Sequence, residues 1–332
     1  MRKIINKPEN FVDEMIEGII RAYPGHLRIV NNDLRCLTSL DKGKIGKVSL
    51  VTGGGSGHLP LFLGYVGKGM LNACVIGNVF ASPSASRMLE LTRAIENGGG
   101  VLYIYGNYSG DVMNFGMAAE MAQAEGIRVE KVIVKDDIAS NPKGKEEKRR
   151  GVAGIFYVYK IAGACSEEMA PLEEVKRIAE KTCANLRTMG VGLSACIIPE
   201  VGKPNFKVKE GEMEIGIGIH GEPGIRKGKL KTADEITEEI MNSILEDLPY
   251  KANDEVSVLV NGLGATPREE LYIVFRKVAD ILKTAKIKIY NNYIGEFATS
   301  LEMAGISISL LKLDSELKSF LDKPAYTPFL SI

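Results

Sequence analysis

Only three histidines, His26, His58 and His220, occur in the 332 residues, and two of them lie inside glycine runs. A neutral imidazole, with an ordinary pKa of about 6.5, is the side chain best suited to act as nucleophile or general base near neutral pH. His58 closes the run Thr52–Pro60, TGGGSGHLP, and His220 stands in Gly216–Gly224, GIGIHGEPG. Glycines there let the backbone turn and approach a ligand closely, while Ser56 and exposed N–H groups supply donors. A third run, Gly106–Asp111, GNYSGD, places Asp111 either as a helix N-cap or as an acid or base. The TGGGSGH run is neither a P-loop nor a G-x-G-x-x-G fingerprint, which argues against nucleotide binding by this chain. His26, in YPGHL, is assigned to structure.

The elements that must position these residues alternate between strand and helix. Val48–Val51 and Val101–Tyr105 are apolar, β-rich and end in glycine, and Asn114–Glu125 has helical spacing before Val129–Val134 returns to strand character. That alternation predicts an α/β protein, with the three glycine loops at strand ends where such folds collect ligands. Ser140–Arg150, SNPKGKEEKRR, reads as an exposed charged loop. Leu172–Gly190 is expected as a helix and Val191–Ile198 as a strand. Glu214–Gly224 is expected as a glycine-rich strand carrying His220. A helix over Thr232–Leu248, a strand at Val256–Val260, a helix over Pro267–Thr284, strands at Ile287–Tyr290 and Ser307–Leu313, and a short helix from Asp314 complete the pattern. The length predicts two α/β domains, residues 1–182 and 183–332.

Lys+Arg and Asp+Glu balance at 42 each, so no global field favours nucleic acid or an anionic membrane. Five scattered cysteines with no C-x-x-C pair suggest neither disulfides nor zinc, and read as core residues of a reducing cytoplasm. No apolar signal region or membrane-length apolar run occurs, so the expected location is cytoplasmic. No metal or other cofactor is indicated.

Six stretches in order, GGGSGH, GYVGKGML (Gly64–Leu71), NYSGD, RRGVAG (Arg149–Gly154), GIHGEPG and NGLGATP (Asn261–Pro267), resemble the substrate-binding subunit of the dihydroxyacetone kinase family over essentially the whole chain. The resemblance implies two α/β domains, a homodimer, and covalent capture of dihydroxyacetone as a hemiaminal on His220. Covalent capture would select short ketones and aldehydes over glycerol, which has no electrophilic carbon. By the same matching, Gly55 offers a backbone contact, and His58 and Asp111 resemble the groups that bond the ligand hydroxyls and assist proton transfer. In the kinases the phosphate comes from a separate ADP-carrying subunit, recharged in many bacteria from phosphoenolpyruvate.

The sequence departs from the kinase pattern beside the site. Leu59 stands where the family reads GGGSGHEP, and Gly106 and Ser109 replace the lysine and threonine of KNYTGD. Losing a glutamate and a lysine near the cleft would remove charge able to orient a partner or stabilise a transferring phosphate. The family also holds a paralogue that binds dihydroxyacetone covalently and acts as coactivator by docking on a dimeric transcription factor, and the sequence resembles it too. Ligand sensing by such a coactivator and service as a kinase subunit both stay open here. An unrelated aldolase or isomerase using His220 is the third reading.

Overall fold

A computed structural model describes residues 3–41 and 43–332. The chain forms two compact units: one holds the residues up to Val134 with Tyr157–Thr182 and Leu317–Ile332, the other Lys135–Phe156 with Cys183–Glu316. Each has a six-stranded sheet. The two-domain α/β class expected from the sequence is the one observed, although the chain passes between the units four times.

The first unit opens with α1, Phe11–Ala22, whose Val12, Ile16 and Ile19 fall on one buried face. Strands β1 (Leu27–Val30), β2 (Asp33–Ser39), β3 (Ser49–Ser56), β4 (Ala73–Val79), β5 (Val101–Gly106) and β6 (Val129–Val134) assemble in the order β1-β2-β4-β3-β5-β6. From β4 to β6 the neighbours are parallel, while β1 and β2 close one edge antiparallel. Helix α2 (Ala85–Ile95) links β4 to β5, and α3 (Ser109–Ala124) links β5 to β6. Strands β3 and β5 are buried along their whole length, as expected for parallel strands covered on both faces. Helix α4, Ile155–Glu167, is apolar all round and buried from Ile155 to Cys165. The buried Lys160 on it donates to the carbonyls of Phe320 (3.2 Å) and Lys323 (2.6 Å), so an otherwise costly cation is fully engaged. Helix α5 is Leu172–Ala184.

The second unit contributes β7 (Leu186–Gly192), β8 (Glu212–Ile215), β9 (Arg226–Lys229), helix α6 (Ala233–Asp247), β10 (Glu255–Gly262), helix α7 (Arg268–Thr284), β11 (Lys288–Gly295) and β12 (Gly305–Leu313). Its sheet runs β11-β10-β12-β7-β8-β9, and only β10 and β11 are parallel. Helix α6 begins with a capping box, Thr232 Oγ1 accepting from the Glu235 N–H and Glu235 accepting from the Thr232 N–H. Helix α8, Ser315–Leu321, leads into the terminal residues.

Two expectations fail in informative places. The helix expected over Leu172–Gly190 stops at Ala184, and Leu186–Gly192 is a strand held in register by β12 from Leu186↔Leu311 to Gly192↔Gly305. Long-range pairing overrides local periodicity there, and the strand expected at Val191–Ile198 starts five residues earlier. The glycine-rich strand expected over Glu214–Gly224 ends at Ile215; Gly216 has φ +78° and Gly221 φ +82°, outside any strand. His220 therefore sits on a turn. Among the described residues no helix is long and apolar enough to cross a membrane. Four of the five cysteines are buried and Cys183 is half-buried.

The loop Ser140–Arg150 is exposed along Pro142–Lys145, yet Arg149 is only 1 % exposed. Its guanidinium grips Asp247 with two bonds of 2.9 and 2.6 Å, and Arg187 binds the same carboxylate. The two arginines, with burial opposing them, hold Asp247 below its usual pKa. Replacing Asp247 by alanine strands a buried cation and should lower unfolding stability by about 3 kcal/mol. In the exposed Arg276–Asp234 pair the same substitution at Asp234 should change it by less than about 1 kcal/mol. Urea denaturation of the two variants measures the contrast.

Candidate functional site

Strands β4, β3 and β5 are parallel neighbours, so the loops at their carboxyl ends share one edge of the first unit's sheet. That edge carries Gly55, His58 and Asp111, which the chain spaces far apart. At Gly55 a Cβ would lie 2.5 Å from the Ala81 nitrogen and 2.6 Å from the Phe80 Cα, so only glycine permits the loop after β4 to pack against β3. Ser56 fastens the same two loops, its Oγ donating to the Gly77 carbonyl at 2.9 Å while its own carbonyl accepts from the Phe80 N–H at 3.0 Å.

His58 is 1 % exposed, its ring stacked on Phe80 at 4.9 Å and meeting Phe62 edge-on at 6.2 Å. Asp111 is buried in the first turn of α3, where the helix N-terminus favours a negative charge. It is not the N-cap: that position is Tyr108, which makes no side-chain cap bond, so the capping explanation for Asp111 does not hold. Burial, with the Asp111 charge second, pushes the Tyr105 hydroxyl up to about 12. Thr52 Oγ1, on β3, lies 2.7 Å from the Tyr159 hydroxyl. These contacts lock the side chains behind the edge in one arrangement.

His220 belongs to the second unit. After β8 the chain turns through Gly216–Gly224, with the Gly218 N–H donating to the Glu222 carbonyl and the Gly221 N–H to the Gly218 carbonyl. Within that turn the Glu222 carboxylate folds back onto His220 from two residues away. One oxygen accepts the His220 backbone N–H at 3.0 Å and the other lies 2.7 Å from the ring Nδ1. The carboxylate fixes a proton on Nδ1, which leaves the imidazole lone pair on Nε2. Asn205 secures the backbone, its Nδ2 donating to the His220 carbonyl at 2.7 Å. At Gly218 a Cβ would lie 2.1 Å from Glu222 Oε2, so the carboxylate occupies the space a side chain would fill.

Burial would raise the Glu222 carboxyl, but the hydrogen bond and charge of His220 and the charge of Arg150 outweigh it and hold the group down to about 2. Arg150 is 3.8 Å from Glu222 Oε2, and behind it Asp137 accepts from Nε (2.9 Å). Asp136 is also buried and takes the N–H groups of Val152 and Gly154. Sequence reasoning passed over Glu222, Arg150 and Asp137. The signal was present for Glu222, an acid two residues after a histidine in a glycine turn, whereas Arg150 was read as part of a solvated charge block. Among the described residues no group of three or more His, Cys, Asp or Glu side chains is placed to hold a metal ion.

The Dak1 domain model matches residues 17–329, and the chain belongs to that family. It is 45% identical over 332 residues, covering 100% of both chains, to the dihydroxyacetone-binding subunit DhaK of PTS-dependent dihydroxyacetone kinase 2 from Listeria innocua. Among solved structures it is similar to the dihydroxyacetone kinase operon co-activator DhaQ, with TM-score 0.88 and 34% identity over 94% of this chain and 96% of that one. The native dihydroxyacetone kinase of C. freundii matches with TM-score 0.89 and 33% identity over 98% of this chain and 60% of the kinase.

The Glu222 value carries a sign. The folded carboxyl is held below its ordinary 4.5, so its contribution to stability is complete above pH 4.5 and is lost as pH falls toward 2. A carboxyl-carbon NMR titration should therefore place Glu222 below pH 3, and Arg150→Met should move it upward.

Proposed function

We propose that this chain captures dihydroxyacetone covalently on His220. The observation that carries the reading is the 2.7 Å contact between Nδ1 and Glu222, which presents Nε2 as a nucleophile. In the capture step the Nε2 lone pair attacks the ligand's C2 carbonyl. A C–N bond forms, the carbonyl π pair moves to oxygen, and that oxygen takes a proton from water. The imidazolium returns to neutrality by losing its Nδ1 proton to the hydroxide so formed, Glu222 remaining ionised, so a ketone and a neutral imidazole become a neutral hemiaminal. His58 and Asp111 are assigned to the ligand hydroxyls and to proton transfer, and Gly55 to a backbone contact.

Capture serves one of two ends, and each has an observation in its favour. Ligand sensing, in a coactivator acting through a dimeric transcription factor, is favoured by Leu59 and Gly106, which leave two charges of the kinase pattern missing beside the loops after β3 and β5. Service as the substrate subunit of a phosphoenolpyruvate-dependent kinase, beside an ADP-carrying partner, is favoured by the 45% identity to the Listeria kinase subunit over the full length of both chains. A homodimer suits either end.

With carbonyl-labelled dihydroxyacetone, carbon NMR of the wild-type chain should show the ketone signal replaced by a tetrahedral carbon, and His220→Ala should abolish it. An adduct that survives His220→Ala removes the assignment. Mixing the chain with a competent ADP-carrying subunit and its phosphoryl donor decides the purpose. Turnover near that of a known kinase subunit establishes the kinase reading; an intact adduct with no turnover establishes sensing.

A further inference from the structure

Arg150 and Arg149 are consecutive, yet they face different tasks. Arg149 holds Asp247, whereas Arg150 turns toward the His220 loop. Three contacts to two acceptors fix the Arg150 guanidinium: Asp137 Oδ2 takes Nε at 2.9 Å and Nη2 at 2.8 Å, and the Gly216 carbonyl takes Nη2 at 3.1 Å. Its backbone is tied as well, the Arg150 N–H donating to Ser140 Oγ and the Arg150 carbonyl accepting from the Asp137 N–H. Asp137 is 2 % exposed and also accepts the Ala139 N–H. The remaining nitrogen, Nη1, is thereby aimed at Glu222 Oε2, 3.8 Å away.

We infer that Arg150, anchored by Asp137, is a positioning residue for the nucleophile, setting the charge and placement of Glu222 and through it the proton on His220 Nδ1. The inference rests on the proposed role of His220. A carboxylate facing an imidazole stabilises the imidazolium, the form that cannot attack. A cation on the far side of that carboxylate draws off part of its field, and holds Glu222 ionised and in place as the acceptor of the Nδ1 proton. Asp137 supplies the counter-charge that lets a guanidinium sit 13 % exposed at this depth. The same guanidinium bonds the Gly216 carbonyl where the turn departs from the sheet, coupling the geometry of the loop to its electrostatics.

Charged groups linked to His220 through these contacts include Glu222 on its own turn and, on the packed segment, Arg150 with Asp137 behind it; Asn205 is neutral. Burial, opposed by Arg150 and reinforced by Asp136, lifts Asp137 to about 7. The test uses the full chain as wild type, Arg150→Met, Arg150→Lys and the double variant of Arg150→Met with Asp137→Asn, in which neither buried charge is left without its opposite. Ring-nitrogen NMR of ligand-free protein reads which His220 nitrogen carries the proton, and labelled dihydroxyacetone reads the adduct.

Arg150→Met should loosen the hold of Glu222 on the Nδ1 proton, shift the ligand-free ring-nitrogen signals toward the Nε2–H form and slow adduct formation. The double variant should do the same, because Asp137 acts through Arg150, and Arg150→Lys should restore part of the wild-type rate. Unchanged ring-nitrogen signals in both Arg150→Met and the double variant overturn the inference even where the wild-type adduct forms. A wild-type chain that forms no adduct overturns the capture reading instead, while the ligand-free ring signals still decide what Arg150 does to the ring.

Discussion

A carboxylate can reach back to the imidazole two residues before it only where the intervening backbone turns tightly and leaves space for its head. Glu222 and His220 meet that condition because Gly218 has no side chain in the volume that Oε2 occupies. The contact decides which ring nitrogen carries the proton and which keeps its lone pair. Asn205, Arg150 and the closure of the turn all serve that one pairing. The two units use glycine differently: at Gly55 it admits the backbone of a neighbouring loop, at Gly218 it admits a charge.

Much of the frame was legible because local pattern and tertiary structure agree. The helix over Thr232–Leu248 is confirmed as Ala233–Asp247 between those two cap residues, and the β-α-β passage through α3 follows the observed β5-α3-β6 order. Legibility failed where long-range pairing decided the outcome. Leu186–Gly190 carries a helical pattern but is taken into a sheet by β12, a strand more than a hundred residues later. His220 was assigned to a strand because its alternating isoleucines imitate one, while the positive φ values at Gly216 and Gly221 that break the strand leave no trace in hydropathy.

The charge-rich loop shows the same limit from the other side. Composition reads Ser140–Arg150 as solvated, and for its middle that is correct, but its last two residues are among the most constrained cations in the second unit. An arginine whose partner is distant in sequence, as Asp247 is from Arg149, cannot be told from a surface arginine by pattern alone. For Glu222 the partner was two residues away, and what was missing was the turn that folds it back.

The route of the chain through its two units bears on the order in which they can mature. Residues 317–332 belong to the first unit: the Tyr326 N–H donates to the Lys68 carbonyl, and the Phe329 N–H to the Gly64 carbonyl. The carbonyls that receive the buried Lys160 ammonium, Phe320 and Lys323, also lie there. During synthesis, then, the first half emerges with a charged group lacking its acceptors and must wait until the second unit's strands have left the ribosome. Neither unit is a contiguous stretch of gene: a single cut anywhere divides the first unit, and a fragment that keeps the whole second unit carries Tyr157–Thr182 of the first along with it.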